Sequence, residues 1–421
     1  MRRQVTGLAG VEERERGEPP ELAEFRRRAR SFLSEHAPRR AARSDDEATT
    51  FEATAADLAT QKAFQAALAD AGLVGITLPR PWGQGLTAAH QHAFNDEARG
   101  YTLPTNAFLI GLGMVIPTMI EFGTDAQRER YVATALRGEE IWSQLFSEPG
   151  AGSDVASLQM RAERDGDEWT LNGQKVWTTG AQVSDFGAVI ARTNPDKPKH
   201  RGITMFIVDL KAPGVEIRAL RQMNGGSGFN EVFFTDVRVP DAGRIGDVDD
   251  GWRCAIAMLM NERVAIGAGG GGGRSVGVEP LIELARRRGR LEDPLVRQGI
   301  ADVYIRTRIL SYIGQRTRDA LKAGKAPGPE GSIAKLVGAL LARRTSDLGI
   351  AIAGAAGQAW EDPHEARWAL GVLSAPASRI AGGTDEVQRN IIGERVLGLP
   401  KEPQVDREVP FRELRVGTHL P

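Results

Sequence analysis

A single cysteine, Cys254, leaves this chain without an intrachain disulfide framework and fits a reducing compartment. No histidine lies near it in sequence, which weakens it as a nucleophile. Metal-ligand patterns are missing too. His90 and His92 are two apart, on different sides of a helix, and the other histidines are scattered, so no metal site is expected. Charge of one sign is lacking: 54 basic residues face 55 acidic ones, a formal net charge of -1. Without a global field toward nucleic acid or an acidic membrane surface, a small ligand is the default partner. Long apolar runs are absent as well. The longest, Phe108 to Phe122, is interrupted by Gly111, Gly113 and Pro117 and carries Glu121, which leaves it short of a membrane span. The segment 1–20 is charged and has no apolar core of a secretory signal. It is expected to be a mobile arm, and the protein to be soluble and cytoplasmic.

What is present supports a large core. Hydrophobic residues make up 41% of 421 residues, enough for two or three domains or layers. From Glu21 to His36, Leu22, Phe25, Ala29 and Phe32 recur at helical spacing beside a basic face of Arg26, Arg27, Arg28 and Arg30, read as a solvated helix face. Helical patterns continue at 51–71, 87–99 and 106–123, with a loop at 78–85. Near Gly138 the period changes to alternation, and 186–192, 204–208, 215–218 and 231–239 read as strands parted by Pro, Gly and Asn turns. Short strands without intervening helices imply an antiparallel sheet or barrel. Helical periodicity returns at Trp252, with seams at Ile300, Val303, Tyr304, Thr307 and Leu310 and at Ile333, Leu336, Val337, Leu340 and Leu341, as in a bundle. The expectation is an α+β protein, mainly α: an arm at 1–20, an N-terminal helical domain at 21–137, a middle β-barrel or sandwich at 138–248, a C-terminal four-helix bundle at 249–400, and a tail at 401–421 lying along the surface or against a neighbouring subunit.

The most chemically informative stretch is Trp142 to Thr179. Its first part holds Ser147, Glu148, Pro149, Gly150, Gly152, Ser153 and Asp154, rich in exposed backbone N–H groups and hydroxyls that suit a phosphate or a polar ring edge. Its second part contains Asp165-Gly166 and Asn172-Gly173, both read as hairpin turns between short strands.

Three separated motifs, LFSEPGAGSD at 145–154, LNGQKVWTTGA at 171–181 and IAGGTDEVQRNIIGERVLG at 380–398, follow one another in a helical, β, helical order. Together they resemble the acyl-CoA dehydrogenase family of flavoproteins, from about Leu22 to Pro400. The resemblance implies FAD between the β domain and the bundle, with an acyl-CoA thioester stacked on the flavin. Phe146 and Ser147 would line the isoalloxazine, while Trp177 and Thr179 would cover its other face and reach its N5 edge. A flat apolar wall with a few placed donors is what a flavin needs. Ser153 matches a position near the substrate, with a turn-capping serine as the equal alternative. Thr384 and Glu386 match positions that touch the flavin or its pyrophosphate and ribose. Glu386 replaces a frequent Gln, and its charge opposes a direct phosphate contact.

α,β-Dehydrogenation requires a carboxylate facing the α carbon. Many relatives place it just before the Gly-Thr of the C-terminal motif, but this chain has Gly382 there. A second family location lies where Glu precedes Arg on the helix opening the C-terminal domain, and Glu262-Arg263 matches it. Gly382 would leave room for that carboxylate and keep a backbone N–H for the thioester carbonyl, a contact worth several kcal/mol. Burial against flavin and acyl chain would raise the carboxylate's pKa and make it a better base. The alternative for Glu262 is an ordinary helix carboxylate paired with an arginine. Arg263 would hold the CoA or flavin side.

The resemblance implies a homodimer or homotetramer, with a heteromeric assembly open, and an electron-transfer flavoprotein as acceptor. An acyl-CoA oxidase or flavin monooxygenase of the same fold, or a non-catalytic subunit, remain rivals. Two family contacts to FAD have no clear counterpart: 288–293 reads RGRLED where an Arg-x-x-Phe is frequent, and Ala351 stands where a Gln precedes the glycine pair. The run Gly267 to Gly272 formally fits a dinucleotide fingerprint but follows no strand, so Rossmann binding is not expected.

Overall fold

The computed structural model describes residues 18–39, 55–267, 278–322, 328–359, 362–404 and 406–414, with the side chains of 262–267, 318, 321–322 and 363–364 outside the description. The N-terminal arm before residue 18 and the glycine run 269–273 fall outside it as well. The helices are α1 (Pro20–His36), α2 (Ala55–Asp70), α3 (Ala88–Ala98), α4 (Ile116–Phe122), α5 (Asp125–Leu136), α6 (Gly251–Gly267), α7 (Val278–Arg287), α8 (Pro294–Lys322), α9 (Gly331–Ala353), α10 (Pro363–Ser378) and α11 (Asp385–Ile391). Between α5 and α6 run β1 (Trp142–Leu145), β2 (Arg161–Asp165), β3 (Glu168–Thr179), β4 (Phe186–Arg192), β5 (Ile203–Asp209), β6 (Val215–Leu220), β7 (Phe229–Pro240) and β8 (Arg244–Ile245). None of the described helices is long and apolar enough to cross a membrane.

The eight strands form one sheet in the order β6-β7-β3-β2-β4-β5-β8, with β1 beside β4. Pairing is mainly antiparallel, but β1 and β4 run parallel. The residues between β1 and β4 form the β2–β3 hairpin and return the chain in the same direction, a crossover that the strand pattern alone does not reveal. Alternation along β4 and β5 serves two cores. Ala188, Ile190, Ile203, Met205 and Ile207 join a cluster with Met114, Val115 and Met119 of the N-terminal helices and Cys254, Ala255 and Met258 of α6. Val189, Ala191, Phe206 and Val208 face the opposite way, onto Trp169, Leu171, Phe234 and Val237. The first cluster fastens all three regions together and sets where α6 begins. Cys254 is fully buried in it, and burial pushes its thiol up to about 12, so it packs as an apolar side chain and stays protonated.

Two local expectations are corrected. Arg26 and Arg30 are not a solvated face: Arg26 is buried and pairs with Glu18 at 2.7 Å and Glu97 at 3.2 Å, and Arg30 with Glu97 at 2.9 Å. A glutamate on α3 reaches across to α1, which helical spacing along α1 does not show. Asn172-Gly173 is not a hairpin turn either. β3 runs through it with a bulge against β7, while Asp165-Gly166 makes the hairpin. Gly173 has φ +148°, and a Cβ there would lie 2.8 Å from Met160 Cα. Asn172 donates to Asp236 Oδ1 at 3.0 Å. The dipeptide permits the bulge and the close approach of the neighbouring chain.

Candidate active site

The two halves of the 142–179 stretch close on each other. Ser147 O accepts from Val176 N at 2.9 Å, Phe146 O from Lys175 Nζ at 3.0 Å, and Thr179 O from Ser143 Oγ at 2.8 Å. These bonds bring Phe146, Ser147, Trp177 and Thr179 together at one end of the sheet. The ladder between β3 and β7 skips Val176 and Trp177, resuming at Thr178 with Asn230. In this second bulge Trp177 has φ +60°, a left-handed conformation costing a bulky residue about 1–3 kcal/mol. Its indole is 60% exposed and meets Phe229 edge-on, ring centroids 6.0 Å apart. An aromatic surface held out at the expense of backbone strain suits stacking against a flat group. Behind it, Thr178 Oγ1 and Asn230 Nδ2 are buried without hydrogen-bond partners.

Lys175 and Glu148 support this wall. Both are buried, Lys175 at 0% exposure, and Lys175 Nζ lies 2.8 Å from Glu148 Oε1. Glu148 also accepts from Gln159 N at 2.6 Å and Met160 N at 3.0 Å. Burial pushes the Lys175 pKa down, against the pull of Glu148. The pair fixes both sides of the turn after β1. Sequence reading passed over it: Glu148 stood among the polar loop residues and Lys175 within a strand, and only an unaccompanied lysine among inward-facing positions hinted at a buried partner.

Ser153 is exposed on the turn after Gly152. Asp154 beside it accepts from Ser157 Oγ at 2.5 Å. In the C-terminal motif, Gly382 and Gly383 both have positive φ, +67° and +94°. Gln388 Nε2 donates to Gly382 O at 2.9 Å, and Lys335, from α9, donates to Gly383 O. Thr384 caps α11 by accepting from Val387 N at 3.2 Å. Its hydroxyl is engaged in the helix start, a role the motif did not convey. Arg379 pairs with buried Asp385 at 2.6 Å. Glu386 is exposed, 3.4 Å from Arg389. Gln388 and Lys335 are further residues that sequence reading missed: Gln388 stands inside the 380–398 motif but was given no role there, and Lys335 lies about fifty residues before it. Glu262 and Arg263 lie on α6, with side chains outside the described residues.

Family profiles match nearly the whole chain: acyl-CoA dehydrogenase N-terminal domain at 19–139, middle domain at 143–237 and C-terminal domain at 249–397. The chain belongs to the acyl-CoA dehydrogenase family. It is therefore an oxidoreductase of a flavoprotein family whose cofactor is FAD. It is 39% identical over 338 residues to acyl-CoA dehydrogenase FadE34 of Mycobacterium tuberculosis, a match covering 80% of this chain and 46% of that protein. The chain thus spans about half of that relative. It is 38% identical over 343 residues to acyl-CoA dehydrogenase IpdE1 of the same organism, covering 81% of this chain and 89% of that one. Among solved structures it is similar to the Tcur3481-Tcur3483 steroid ACAD, with 27% identity, a TM-score of 0.75, and coverage of 91% of this chain and 99% of that chain.

The Phe146 side chain is buried in the core, so the surface at this end of the sheet comes from its backbone, Ser147, Thr179 and the Trp177 indole, and it suits the family's cofactor. An exposed indole, a turn with two backbone carbonyls already engaged, and unpartnered polar atoms one layer behind match the flat, edge-polar shape of a flavin.

Proposed function

We propose that this chain catalyses the α,β-dehydrogenation of an acyl-CoA thioester to its 2-enoyl form, with Glu262 as the base. The observation that carries the reading is Trp177, strained at φ +60° and exposed beside a turn clamped by Lys175. When bound, FAD supplies the acceptor chemistry for the β-hydrogen. The chain's own residues do the rest. Phe146, Ser147, Trp177 and Thr179 hold and exclude water from the cofactor, with Thr384 and Glu386 on the turn before and at the start of α11. Glu262 takes the α proton, and the Gly382 N–H faces the thioester carbonyl as negative charge grows there. Gln388, donating to Gly382 O, holds the next peptide, between Gly382 and Gly383, in place. Arg263 and Ser153 contact the CoA side.

The similarity to a steroid ACAD supports a bulky polycyclic acyl group. The acceptor in this reading is an electron-transfer flavoprotein. An oligomer is supported by α8, where Tyr304, Ile305, Ile309 and Tyr312 form an exposed apolar stripe at helical spacing. A second copy of the chain or a homologous subunit covers it, and that steroid ACAD's own name joins two polypeptides. Anaerobic bleaching of the flavin over a panel of acyl-CoAs tests the activity. Glu262→Gln is expected to retain FAD and lower the bleaching rate by a factor of about 10²–10⁴. Normal bleaching by this variant overturns the base assignment, and rapid reoxidation of the reduced wild type in air favours the oxidase or monooxygenase reading.

A further inference from the structure

The segment after α11 does not stay with the helices it leaves. It crosses to the loop between β4 and β5, where Phe411 N donates to Lys197 O at 2.9 Å and Arg412 N to Pro195 O at 3.0 Å, with a bridge between Pro198 and Pro410. Phe411 is buried, its ring centroid 3.7 Å from the Arg192 guanidinium carbon. Arg192 is itself buried, donating to Lys199 O at 2.8 Å and Ala156 O at 2.6 Å. Burial lowers its pKa to about 10, which leaves it charged at neutral pH. Above this anchor, Lys199 Nζ spans two carboxylates, Asp406 of the tail at 2.8 Å and Asp154 at 2.9 Å.

We propose that Lys199 and Asp406 are positioning residues for the acyl-CoA: the tail clasps the Ser153-Asp154 turn and sets its place. The geometry makes the tie directional. Asp154 is held from within by Ser157 and from outside by Lys199, so the turn has two fixed points, one of which depends on the tail being docked. Lys199 is largely shielded, and although burial opposes its charge, the two carboxylates outweigh that and raise its pKa. A single ammonium shared by the two segments transmits loss of Asp406 to Asp154, because the lysine then keeps only the exposed Asp154 and loses the fixed point that the docked tail gives it. Arg412 paired with Asp196 at 2.8 Å adds a second, more exposed fastening. The effect on substrate rests on the proposed placement of Ser153 beside the CoA, whereas the tie itself does not.

The test uses the FAD-loaded full chain carrying Asp406→Asn, Asp406→Glu, Lys199→Gln or Phe411→Ala. Amide exchange at 150–158 is expected to quicken about two- to fivefold in Asp406→Asn and Lys199→Gln. Asp406→Glu should restore the wild-type rate, and Phe411→Ala should free the tail as well. The KM for the best acyl-CoA should rise several-fold in the Asn and Gln variants, with kcat nearly unchanged. Unaltered exchange at 150–158 in both variants overturns the clasp. Faster exchange with unchanged KM keeps the tie and overturns its role in positioning substrate. Should no acyl-CoA bleach the wild-type flavin, the dehydrogenase reading falls, while the exchange data still decide the tie.

Discussion

Trp177 and Lys175, two residues apart on β3, divide the work of the proposed cofactor wall. Trp177 accepts a left-handed backbone so that its indole stands outside the sheet, and Lys175 goes fully inside to hold the turn that faces it. Trp177→Gly would remove strain of about 1–3 kcal/mol and with it the aromatic surface. The expected outcome is a thermal midpoint equal to or above that of the wild type when both are stripped of flavin, together with much weaker FAD retention, measured by absorbance after gel filtration. Lys175→Met leaves Glu148 buried and uncompensated, at a cost of about 3–5 kcal/mol in denaturant unfolding. The double variant Lys175→Met with Glu148→Gln should recover part of that loss. A single variant no less stable than the wild type would contradict the pair's role. At this scale the sequence was only partly legible. The motif gave Trp177, but neither its positive φ nor the pairing of Lys175 with a residue 27 positions earlier is encoded in local spacing.

At the scale of elements, period was the reliable signal. Phe186–Arg192 is a strand at the bounds that alternation suggested, because it is buried on both faces between two cores. The helices at Pro20–His36 and Ala88–Ala98 fall within a residue of their apolar patterns. Asn172-Gly173 misled because its turn chemistry serves a bulge, and a bulge is defined by the partner strand, which sequence does not display. Gly173→Ala tests this directly. Its Cβ would meet Met160 in backbone and side chain at a φ of +148°, so close packing and backbone strain together predict a loss of about 1–3 kcal/mol in chemical unfolding. Substitution at Gly166, with open space around it, would cost only the strain of its φ of +62°. Gly166 thus reports backbone strain alone, and Gly173 strain with close packing added.

The whole molecule is tied across its regions by one shared core, with Met114 and Met119, Ile190 and Met205, and Ala255 and Met258 in contact as one cluster. Composition and motif order were enough to foresee helices, sheet and helices in that order. They could not foresee which surface remains open, since exposure of an apolar helix face depends on what its neighbours cover. Tyr304, Ile305, Ile309 and Tyr312 were read as part of a bundle seam or passed over, yet all four stand about half exposed on α8. That stripe has a thermodynamic consequence. A face covered only on association couples folding to mass action, so the thermal midpoint should rise with protein concentration. Replacing Ile305 and Ile309 by Ser should abolish the dependence and shift the sedimenting species toward the single chain. Stability in this protein would then be a property of how much of it is present, diluted away at low abundance and gained as the chains accumulate.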